Sequence, residues 1–493
     1  MKVYLKGHDF EFATQQIYMC IFPNSHAEFV SECPREGDYI ISELEECGGS
    51  IRVETQINLN GKRYVAEEET PVQEGVSGED RKRACRRGIK LSFFKAASEI
   101  FPKAPAWGAL TGIRPSKVAG KFIDSGLSRE GAISAMNDEF FVSPDRAALA
   151  VDCTIRAKEI SAKSRPRDFS LYVGIPFCAS RCRYCSFVSH SIEKARGLVA
   201  PYLEMLSDEI RLLSEAADEN NLSLRTVYIG GGTPTALSNE ELAFVMRCIK
   251  ENFDIENIDE YTVEGGRPDT LSRDKIQTIR DLGATRISVN PQTMNDEILS
   301  AMDRRHTAED VIRAIRDVRE IGGLSINADL IAGLPGDSFE SFKSSVLRLL
   351  ELETENVTVH TLAIKKGSTL SQEKYRLPDG VETEKMVDFA MDEILSRGYL
   401  PYYLYRQKYM SGNLENVGYS KPGFESDYNN YIMDELHTIL SAGAGGVTKL
   451  IDAEKGRIER IFNPKYPYEY NVAKEKIQLT KEKIREFFNE GQE

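Results

Sequence analysis

The chain has 493 residues, of which 41% are hydrophobic and 28% charged, and its formal net charge is −14. That length is too great for one hydrophobic core, so the sequence predicts two or three domains. The composition is typical of a soluble globular protein, and the acidic balance disfavours nucleic acid or anionic membrane as a partner. No apolar run approaches the ~18 residues of a membrane span, and the N-terminus has no signal-peptide pattern, which together predict a cytoplasmic protein.

The first 165 residues predict an α+β accessory domain. Alternating segments at 2–5 and 50–58 indicate strands, a basic stretch at 80–100 indicates a helix, and a second helical stretch covers 129–163. The basic stretch is an RNA-binding candidate, but in an acidic chain it fits the solvated face of a helix better. The polar segment 163–168 contains Pro166 and predicts a linker.

From residue 171 onward, strand and helix patterns alternate. Strands are predicted at 171–175, 226–229, 260–264, 286–290, 325–331 and 356–362, and helices at 199–216, 239–252, 272–282, 308–321 and 338–350. Alternating βα units predict a parallel sheet, as an open barrel of six units or a doubly wound sheet, with function at the carboxyl ends of its strands. Residues 366–493 predict a smaller mixed domain, in which the AGAGG segment is a close-packing turn.

Three of the nine cysteines fall within eight residues, in LYVGIPFCASRCRYCSFVS directly after the first barrel strand. Cys178, Cys182 and Cys185 can bind three irons of a [4Fe–4S] cubane and leave the fourth iron open. An open iron can chelate the amino and carboxylate groups of S-adenosylmethionine (SAM), and an electron from the cluster then cleaves the sulfonium to a 5′-deoxyadenosyl radical. The alternative is a zinc site completed by His190, which the lack of a second cysteine pair disfavours.

The triad, with Tyr184 before its last cysteine, resembles the radical SAM superfamily. The longer string YVGIPFCxxxCxYC resembles the oxygen-independent coproporphyrinogen III oxidase family over roughly residues 170–365. This resemblance implies a partial (β/α)6 barrel, a [4Fe–4S] cluster and SAM as cofactors, and a flavodoxin or ferredoxin-type electron donor. The chain departs from the founding members at Ser186, where they carry a fourth cysteine. Branches without that cysteine include HemW-type haem chaperones and HemZ-type proteins.

The resemblance also implies a SAM site built from successive strand ends. The glycine turn GGGTPT at 230–235 matches the turn that binds the SAM amino group, and Glu264 matches the acceptor for the ribose hydroxyls. Arg304 matches the arginine that meets the SAM carboxylate, with the adjacent Arg305 as the alternative. The other matched positions are Tyr172, Tyr184, Gly231, Gly232, Thr233, Gln292, Asp329 and Ala363. Asp329 interrupts an apolar strand, and such a carboxylate must be hydrogen-bonded or functional.

A substrate signal lies in PYYLYRQKYMSGNLENVGYS, residues 401–420. Aromatic faces suit the flat disc of a tetrapyrrole, and Arg406 and Lys408 can pair with its propionates. A contact strip between domains explains the composition equally well. Together with WGALTGIRPSK at 107–117, the string resembles HemZ-type coproporphyrinogen dehydrogenases over nearly the full chain.

These resemblances imply a radical SAM oxidoreductase of haem biosynthesis. It would convert the propionates of coproporphyrinogen III to vinyl groups under anaerobic conditions. The alternatives are a HemW-type haem chaperone, which the missing fourth cysteine favours, and a radical SAM enzyme that modifies or opens haem. The predicted domains are 1–165, the barrel at 166–365, and a substrate-capping domain at 366–493. No catalytic acid or base is assigned.

Overall fold

The computed structural model describes residues 1–22, 25–72, 75, 77–101, 104–112, 114–378, 380–407, 410–452 and 455–489. The chain forms two compact units. The first comprises Met1–Thr154 with the short segments Asp379–Val381 and Tyr405–Glu415, and the second comprises Ile155–Pro378, Glu382–Leu404 and Asn416–Glu493. The division into three domains stays a prediction.

The first unit contains a five-stranded sheet and helices. Its strands are β1 (Lys2–Lys6), β2 (Glu28–Val30), β3 (Tyr39–Cys47), β4 (Ser50–Leu59) and β5 (Lys62–Pro71). Its helices are α1 (Glu11–Ile21), α2 (Gly78–Ser98), α3 (Pro115–Asp124), α4 (Arg129–Phe140) and α5 (Pro144–Ser161), of which α5 continues into the second unit. The strand order in the described residues is β2-β1-β3-β4-β5, with β1 parallel to both neighbours and the last three strands antiparallel.

Strand β4 shows why this sheet forms. Ile51, Val53 and Ile57 are buried and alternate with polar residues, which is the pattern of a strand with one face on the core. Helix α2 packs on β4 and β5. Its basic residues form ion pairs on the surface, such as Arg81 with Glu46, and this is the solvated helix face that the sequence predicts.

The helical stretch predicted at 129–163 is wrong as one continuous element. Phe141 takes a left-handed conformation (φ 57°) and ends α4. Pro144 then begins α5, because proline lacks the N–H group that a helix interior needs but fits its first turn.

Trp107 is buried in the first unit and joined to a charged pair. Its Nε1 donates a hydrogen bond to Oε2 of Glu415 at 2.6 Å. The other carboxylate oxygen lies 2.7 Å from Nε of Arg146, and both charged side chains are almost fully buried. A buried carboxylate with a partner on each oxygen avoids the cost of an isolated charge.

The second unit carries the alternating strands and helices. Its strands are β6 (Asp168–Ile175), β7 (Phe177–Cys178), β8 (His190–Ser191), β9 (Ser223–Gly231), β10 (Glu260–Glu264), β11 (Arg286–Ser288), β12 (Ser325–Ala332), β13 (Asn356–Thr361), β14 (Leu400–Tyr405), β15 (Asn416–Ser420), β16 (Thr438–Ala442), β17 (Val447–Asp452) and β18 (Arg457–Phe462). Its helices are α6 (Arg196–Glu219), α7 (Asn239–Asn252), α8 (Arg273–Asp281), α9 (Asp296–Ala301), α10 (Ala308–Ile321), α11 (Phe339–Leu350), α12 (Thr369–Gln372), α13 (Gly380–Ser396), α14 (Asp427–Asp434), α15 (Pro467–Tyr470) and α16 (Lys474–Asn489).

The main sheet of this unit follows the predicted partial barrel. In the described residues its order is β14-β15-β13-β12-β11-β10-β9-β6-β16-β17-β18. Strands β6 and β9 to β13 are parallel and adjacent in chain order, so the predicted fold class is confirmed. Strand β16 adds in parallel to β6, and β15 pairs antiparallel with β13. Strands from the C-terminal part therefore continue the barrel sheet at both sides.

Local chemistry places these elements. Strand β6 is buried at every position except Tyr172, as a central parallel strand requires. The AGAGG segment forms the predicted close-packing turn, because a Cβ on Gly443 (φ +98°) would lie 2.4 Å from the carbonyl oxygen of Gly174. Within the residues described, no helix combines the length and the apolar character needed to cross a membrane.

Candidate functional site

The three clustered cysteines lie on the loop that leaves the carboxyl end of β6. Cys178 ends β7, which pairs with β8 through Cys178 and Ser191. The amide of Cys185 donates to the carbonyl of Cys182 at 3.1 Å, which closes a tight turn. Cys178 and Cys182 are buried and Cys185 is half-buried. One short segment therefore presents three thiols at the end of a barrel strand, where ligands bind in such folds.

The glycine turn after β9 is hydrogen-bonded to this loop. The amide of Gly232 donates to the carbonyl of Ile175, and that of Thr233 to the carbonyl of Phe177, both at 2.8 Å. A Cβ on Gly232 would lie 2.5 Å from the Phe177 carbonyl oxygen and 2.9 Å from Sγ of Cys178. Only glycine permits this close approach, which joins the cysteine loop and the turn into one structure.

The thiols of Cys178 and Cys185 lie in an environment that raises their pKa values and so favours their neutral form until a metal binds. Burial raises the pKa of the Cys178 thiol, and hydrogen bonds with Ser189 and Thr233 oppose that rise. Burial also raises the pKa of Cys185 to about 11. Bound iron would favour the thiolates, because a metal cation supplies the charge that the buried site lacks. Hydrogen bonds to the sulfurs would then tune the potential of a cluster.

Arg304 is fixed beside the cysteine loop by several acceptors. It donates to the carbonyl oxygens of Gly266 at 2.9 Å and Asn290 at 2.6 Å, and to the hydroxyl of Tyr184 at 2.9 Å. Its Nη1 lies 3.8 Å from Sγ of Cys182. The guanidinium therefore links the ends of two neighbouring strands to the loop that carries the thiols.

Arg304 and the adjacent Arg305 lie in different environments, the first buried and the second exposed. Arg305 has a side chain that is 62% exposed and lies 3.6 Å from Glu193 at the surface. At the buried position, Nε of Arg304 and Oδ1 of Asn290 have no hydrogen-bond partner within the described residues. Buried polar atoms of this kind call for a ligand with both acceptor and donor groups. The amino and carboxylate groups of SAM are a donor and an acceptor of this kind, so Arg304 and Asn290 are suited to bind them.

Glu264 occupies the predicted end of β10. Its Oε1 accepts a hydrogen bond from the hydroxyl of Tyr228 at 2.6 Å. Burial raises the pKa of Glu264 to about 7, and the nearby Asp329 adds to the rise while the Tyr228 hydroxyl opposes it. In its ionised form, a carboxylate at this strand end can accept hydrogen bonds from ligand hydroxyls, and its pKa near 7 makes that capacity depend on pH.

Two tyrosines near Glu264 are missing from the sequence predictions. The ring of Tyr228 lies 4.4 Å from that of Tyr428 and 6.2 Å from that of the predicted Tyr172, all three nearly parallel. Tyr172 and Tyr228 are paired neighbours on β6 and β9. The signal for Tyr228 is its alternation with Val227 and Ile229, which repeats the pattern around Tyr172. Tyr428 comes from the distant α14 and has no local signal.

Of the remaining predicted positions, Gln292 and Ala363 follow barrel strands, whereas Asp329 lies inside β12 and not at its end. Gln292 is buried with φ +68°, and its main-chain N–H donates a hydrogen bond to the main-chain carbonyl of Asp329 at 2.8 Å. Residues other than glycine rarely adopt a positive φ, so the surrounding structure must hold the main chain of Gln292 in this conformation. Oδ1 of Asp329 accepts from Asn327 at 2.8 Å, and its other oxygen lies 3.7 Å from Nε2 of His360. Ala363 is half-buried just after β13.

Of the two predicted substrate residues, the structure describes only Arg406. Arg406 belongs to the first unit, where it is buried over the ring of Trp107 at 5.3 Å. Its guanidinium donates to the carbonyl oxygens of Leu110 at 2.5 Å and Asn413 at 2.7 Å. Lys408 lies outside the described residues. The role of both in binding propionates stays a prediction.

The geometry of the thiols bears on the zinc alternative. In the described part of the chain, no three His, Cys, Asp or Glu side chains are gathered closely enough to hold a single metal ion. The assignment of Cys178, Cys182 and Cys185 as cluster ligands, and the zinc alternative with His190, therefore stay predictions from the sequence.

Comparisons with known proteins agree with this geometry. The sequence model of the radical SAM superfamily matches residues 172–349. The oxygen-independent coproporphyrinogen-III oxidase-like protein HemZ of Bacillus subtilis is 40% identical over 402 residues, which cover 80% of this chain and 79% of that protein. The heme chaperone HemW of Lactococcus lactis is 32% identical over 282 residues, 56% of this chain and 69% of its own. The coproporphyrinogen III oxidase HemN of Escherichia coli shares the fold, with a TM-score of 0.52 and 23% identity over 66% of this chain and 73% of that one.

Proposed function

Because the chain belongs to the oxygen-independent coproporphyrinogen III oxidase-like family of radical SAM proteins, we propose that it converts propionate side chains of coproporphyrinogen III to vinyl groups. The superfamily implies a [4Fe–4S] cluster and SAM, and the chain is a radical SAM oxidoreductase. When bound, these cofactors supply the means to remove a hydrogen atom from an unactivated carbon. The substrate then loses carbon dioxide and passes one electron to an external one-electron acceptor, and the propionate becomes a vinyl group.

The thiols of Cys178, Cys182 and Cys185 hold the cluster in this proposal. Their presentation from one loop, hydrogen-bonded to the glycine turn, is the single observation that carries it. Three protein ligands leave one iron for the amino acid end of SAM. Arg304 then binds the SAM carboxylate, since its guanidinium is already fixed at that end of the barrel.

The other strand ends hold the rest of SAM. Glu264 accepts hydrogen bonds from the ribose hydroxyls of SAM. The turn that contains Gly231 and Gly232 has no side chains there, so its main chain can closely approach the amino group of SAM. The matched positions that complete the pocket are Tyr172, Tyr184, Thr233, Gln292, Asp329 and Ala363. The stacked rings around Tyr228 exclude water from this side of the site, which protects a reactive intermediate from quenching.

The chaperone remains the second candidate. It is favoured by the similarity to HemW and by Ser186 in place of a fourth cysteine. The similarity to HemZ extends over 80% of this chain, whereas that to the HemW of L. lactis extends over 56%. The greater coverage supports tetrapyrrole oxidation over haem transfer.

Anaerobic turnover followed by mass spectrometry tests the proposal. The reconstituted protein is mixed with SAM, dithionite and either coproporphyrinogen III or haem. We expect methionine, 5′-deoxyadenosine and a tetrapyrrole that has lost the elements of formic acid from each converted propionate. Cleavage of SAM with unchanged coproporphyrinogen would contradict the assignment. A stable haem complex without turnover would favour the chaperone, and iron released from haem would favour a haem-opening enzyme.

A further inference from the structure

We propose that the outer face of the cysteine loop is the docking surface for an acidic protein that carries single electrons. We define the donor face as the solvent-accessible side chains on the two segments 176–197 and 363–367, apart from the cluster ligands and the positions assigned to SAM. The inference rests on the proposed function, because a cluster that cleaves SAM must be reduced from outside the chain. The step is a transfer of one electron, in which the carrier is oxidised and the cluster reduced, with no bond formed between the two proteins.

The donor face is basic on an acidic chain. Its two segments contain six lysines and arginines against one acidic residue, Glu193, whereas the whole chain has a net charge of −14. The two segments are joined directly, because Nη2 of Arg181 donates to the carbonyl of Gly367 at 2.5 Å. A concentration of one sign of charge at one place steers a partner of opposite charge to that place.

Much of this charge is not neutralised by the chain itself. Arg183 pairs with Glu373 at 2.6 Å, and Arg196 pairs with Glu241. Within the described residues, no carboxylate forms an ion pair with Arg181, Lys194 or Lys366, and all three side chains are exposed. Exposed cations without a carboxylate partner are available to a negatively charged surface.

An apolar contact lies within this basic surface. Phe187 is 67% exposed, although a phenyl ring usually gains from burial. It lies two residues after Cys185, and its main chain is hydrogen-bonded to the sulfur of that cysteine. An exposed aromatic side chain among charged residues is typical of the apolar centre and polar rim of a protein interface. It also places the partner next to a cluster ligand, where the path for an electron is short.

The test compares binding and reduction in anaerobically reconstituted protein. The probe is an acidic flavodoxin, and its affinity is measured by isothermal titration calorimetry in the oxidised form. SAM cleavage is then followed with photoreduced flavodoxin and, separately, with dithionite. The variants are Lys194→Glu combined with Lys366→Glu, and Phe187→Ser alone. The matched control combines Lys476→Glu and Lys483→Glu on α16, where both lysines are exposed and outside the donor face.

We expect the Kd for flavodoxin to rise about tenfold or more in the donor-face variants and to stay within about twofold in the control. Cleavage with flavodoxin should slow in proportion, while cleavage with dithionite stays unchanged. Raising the salt from about 0.05 M to about 0.3 M should weaken the wild-type complex more than that of the charge-reversed variant. Carbodiimide coupling should join flavodoxin carboxylates to Lys194 or Lys366.

Three results would overturn the inference: unchanged flavodoxin affinity in the variants, equal loss in the control, or weaker binding of coproporphyrin with flavodoxin unaffected. The last result would show that the donor face receives substrate carboxylates instead. Wild-type protein that binds flavodoxin at this face but fails to cleave SAM with dithionite would instead contradict the proposed function. The two failures are therefore distinguishable.

Discussion

The hydroxyl of Tyr228 donates a hydrogen bond to Oε1 of Glu264 at 2.6 Å, from one barrel strand to the end of the next. Burial raises the pKa of Glu264 to about 7, and the bond from Tyr228 opposes part of that rise. The carboxyl group is therefore partly protonated at neutral pH. Since a carboxylate accepts two ligand hydroxyls better than a carboxylic acid does, we expect SAM to bind more tightly as the pH rises through about 7.

Tyr228→Phe should move this dependence to higher pH. Removing the donor raises the pKa of Glu264 further, so a higher pH is needed to form the carboxylate. Calorimetric titration of SAM into reconstituted protein between about pH 6 and pH 9 should show the midpoint rise by about one unit. Tyr261→Phe is the matched control, because this buried hydroxyl has no hydrogen-bond partner within the described residues. A profile for Tyr228→Phe identical to wild type would contradict the assignment.

Arg304 and Arg305 offer a comparison of adjacent arginines. Arg304→Lys should lower SAM affinity by about tenfold or more, because lysine cannot reproduce the several directed donors of the guanidinium. Arg305→Lys should leave affinity unchanged, since that side chain is 62% exposed. Equilibrium binding of SAM measures both. Equal effects, or a larger effect at Arg305, would mean that the predicted carboxylate contact lies one residue later.

Gly232→Ala should disrupt the joint between the glycine turn and the cysteine loop. The added Cβ would lie 2.5 Å from the Phe177 carbonyl oxygen, which is a steric clash. Because that oxygen belongs to the main chain, relieving the clash would require the cysteine loop to shift. We expect lower iron content and loss of SAM binding. In Gly197→Ala the new Cβ has no atom within 4 Å, so this control should keep both properties. Normal iron content and SAM affinity in Gly232→Ala would show that the turn yields more easily than the contacts indicate.

Cys182→Ala should abolish the cluster. With one ligand of three removed, the remaining thiols cannot retain a cubane that already lacks a fourth protein ligand. Iron analysis should fall from about four atoms per wild-type chain to well below that, with loss of the visible absorption. Cys33→Ala, at an exposed cysteine away from the loop, should keep full iron content. A full complement of iron in Cys182→Ala would refute the ligand assignment.

Glu209 predicts a pH dependence of stability that is independent of the cofactors. It is fully buried on α6, and it accepts hydrogen bonds from the amide of Gly443 at 2.7 Å and from Asn463 at 2.8 Å. Burial raises its pKa to about 7, and these bonds oppose part of the rise. The folded state therefore holds a proton that the unfolded state releases above about pH 4.5. Its contribution to the free energy of unfolding is full at low pH and is lost as the pH rises towards 7.

Glu209→Gln should remove this dependence. Between about pH 5 and pH 8 the wild type should lose about 2 kcal/mol of unfolding free energy relative to the variant. Urea denaturation under anaerobic conditions measures the difference at each pH. Glu215→Gln is the control, because Glu215 is partly exposed on the same helix and its pKa is lowered by hydrogen bonding to Lys481. Parallel pH curves for wild type and Glu209→Gln would exclude the effect.

The sequence predicts the barrel well because each strand carries its own signal. Two strong patterns, at 260–264 and 239–252, match β10 and α7 residue for residue. The capping box at Ser238 and Glu241 explains the second match, since it fixes where the helix begins. The glycines of the turn and the cysteines of the loop are local motifs in the same way.

Contacts between distant segments could not be predicted from local patterns. Tyr428 reaches the stack at Tyr228 from 200 residues farther along the chain, and nothing around it indicates that position. The composition of residues 401–420 predicts that the Arg406 guanidinium is available to propionates, whereas the fold buries this guanidinium against main-chain carbonyls. Composition shows which chemistry a side chain can perform, whereas the tertiary fold decides which partner uses it.

The single tryptophan has a practical consequence. Trp107 is buried in the first unit, while the cluster loop belongs to the second. Its indole fluorescence therefore reports on one half of the molecule, and the visible colour of a bound cluster reports on the other. Following both signals in one denaturant titration would show whether the two units unfold together or one after the other, without any dye or engineered label.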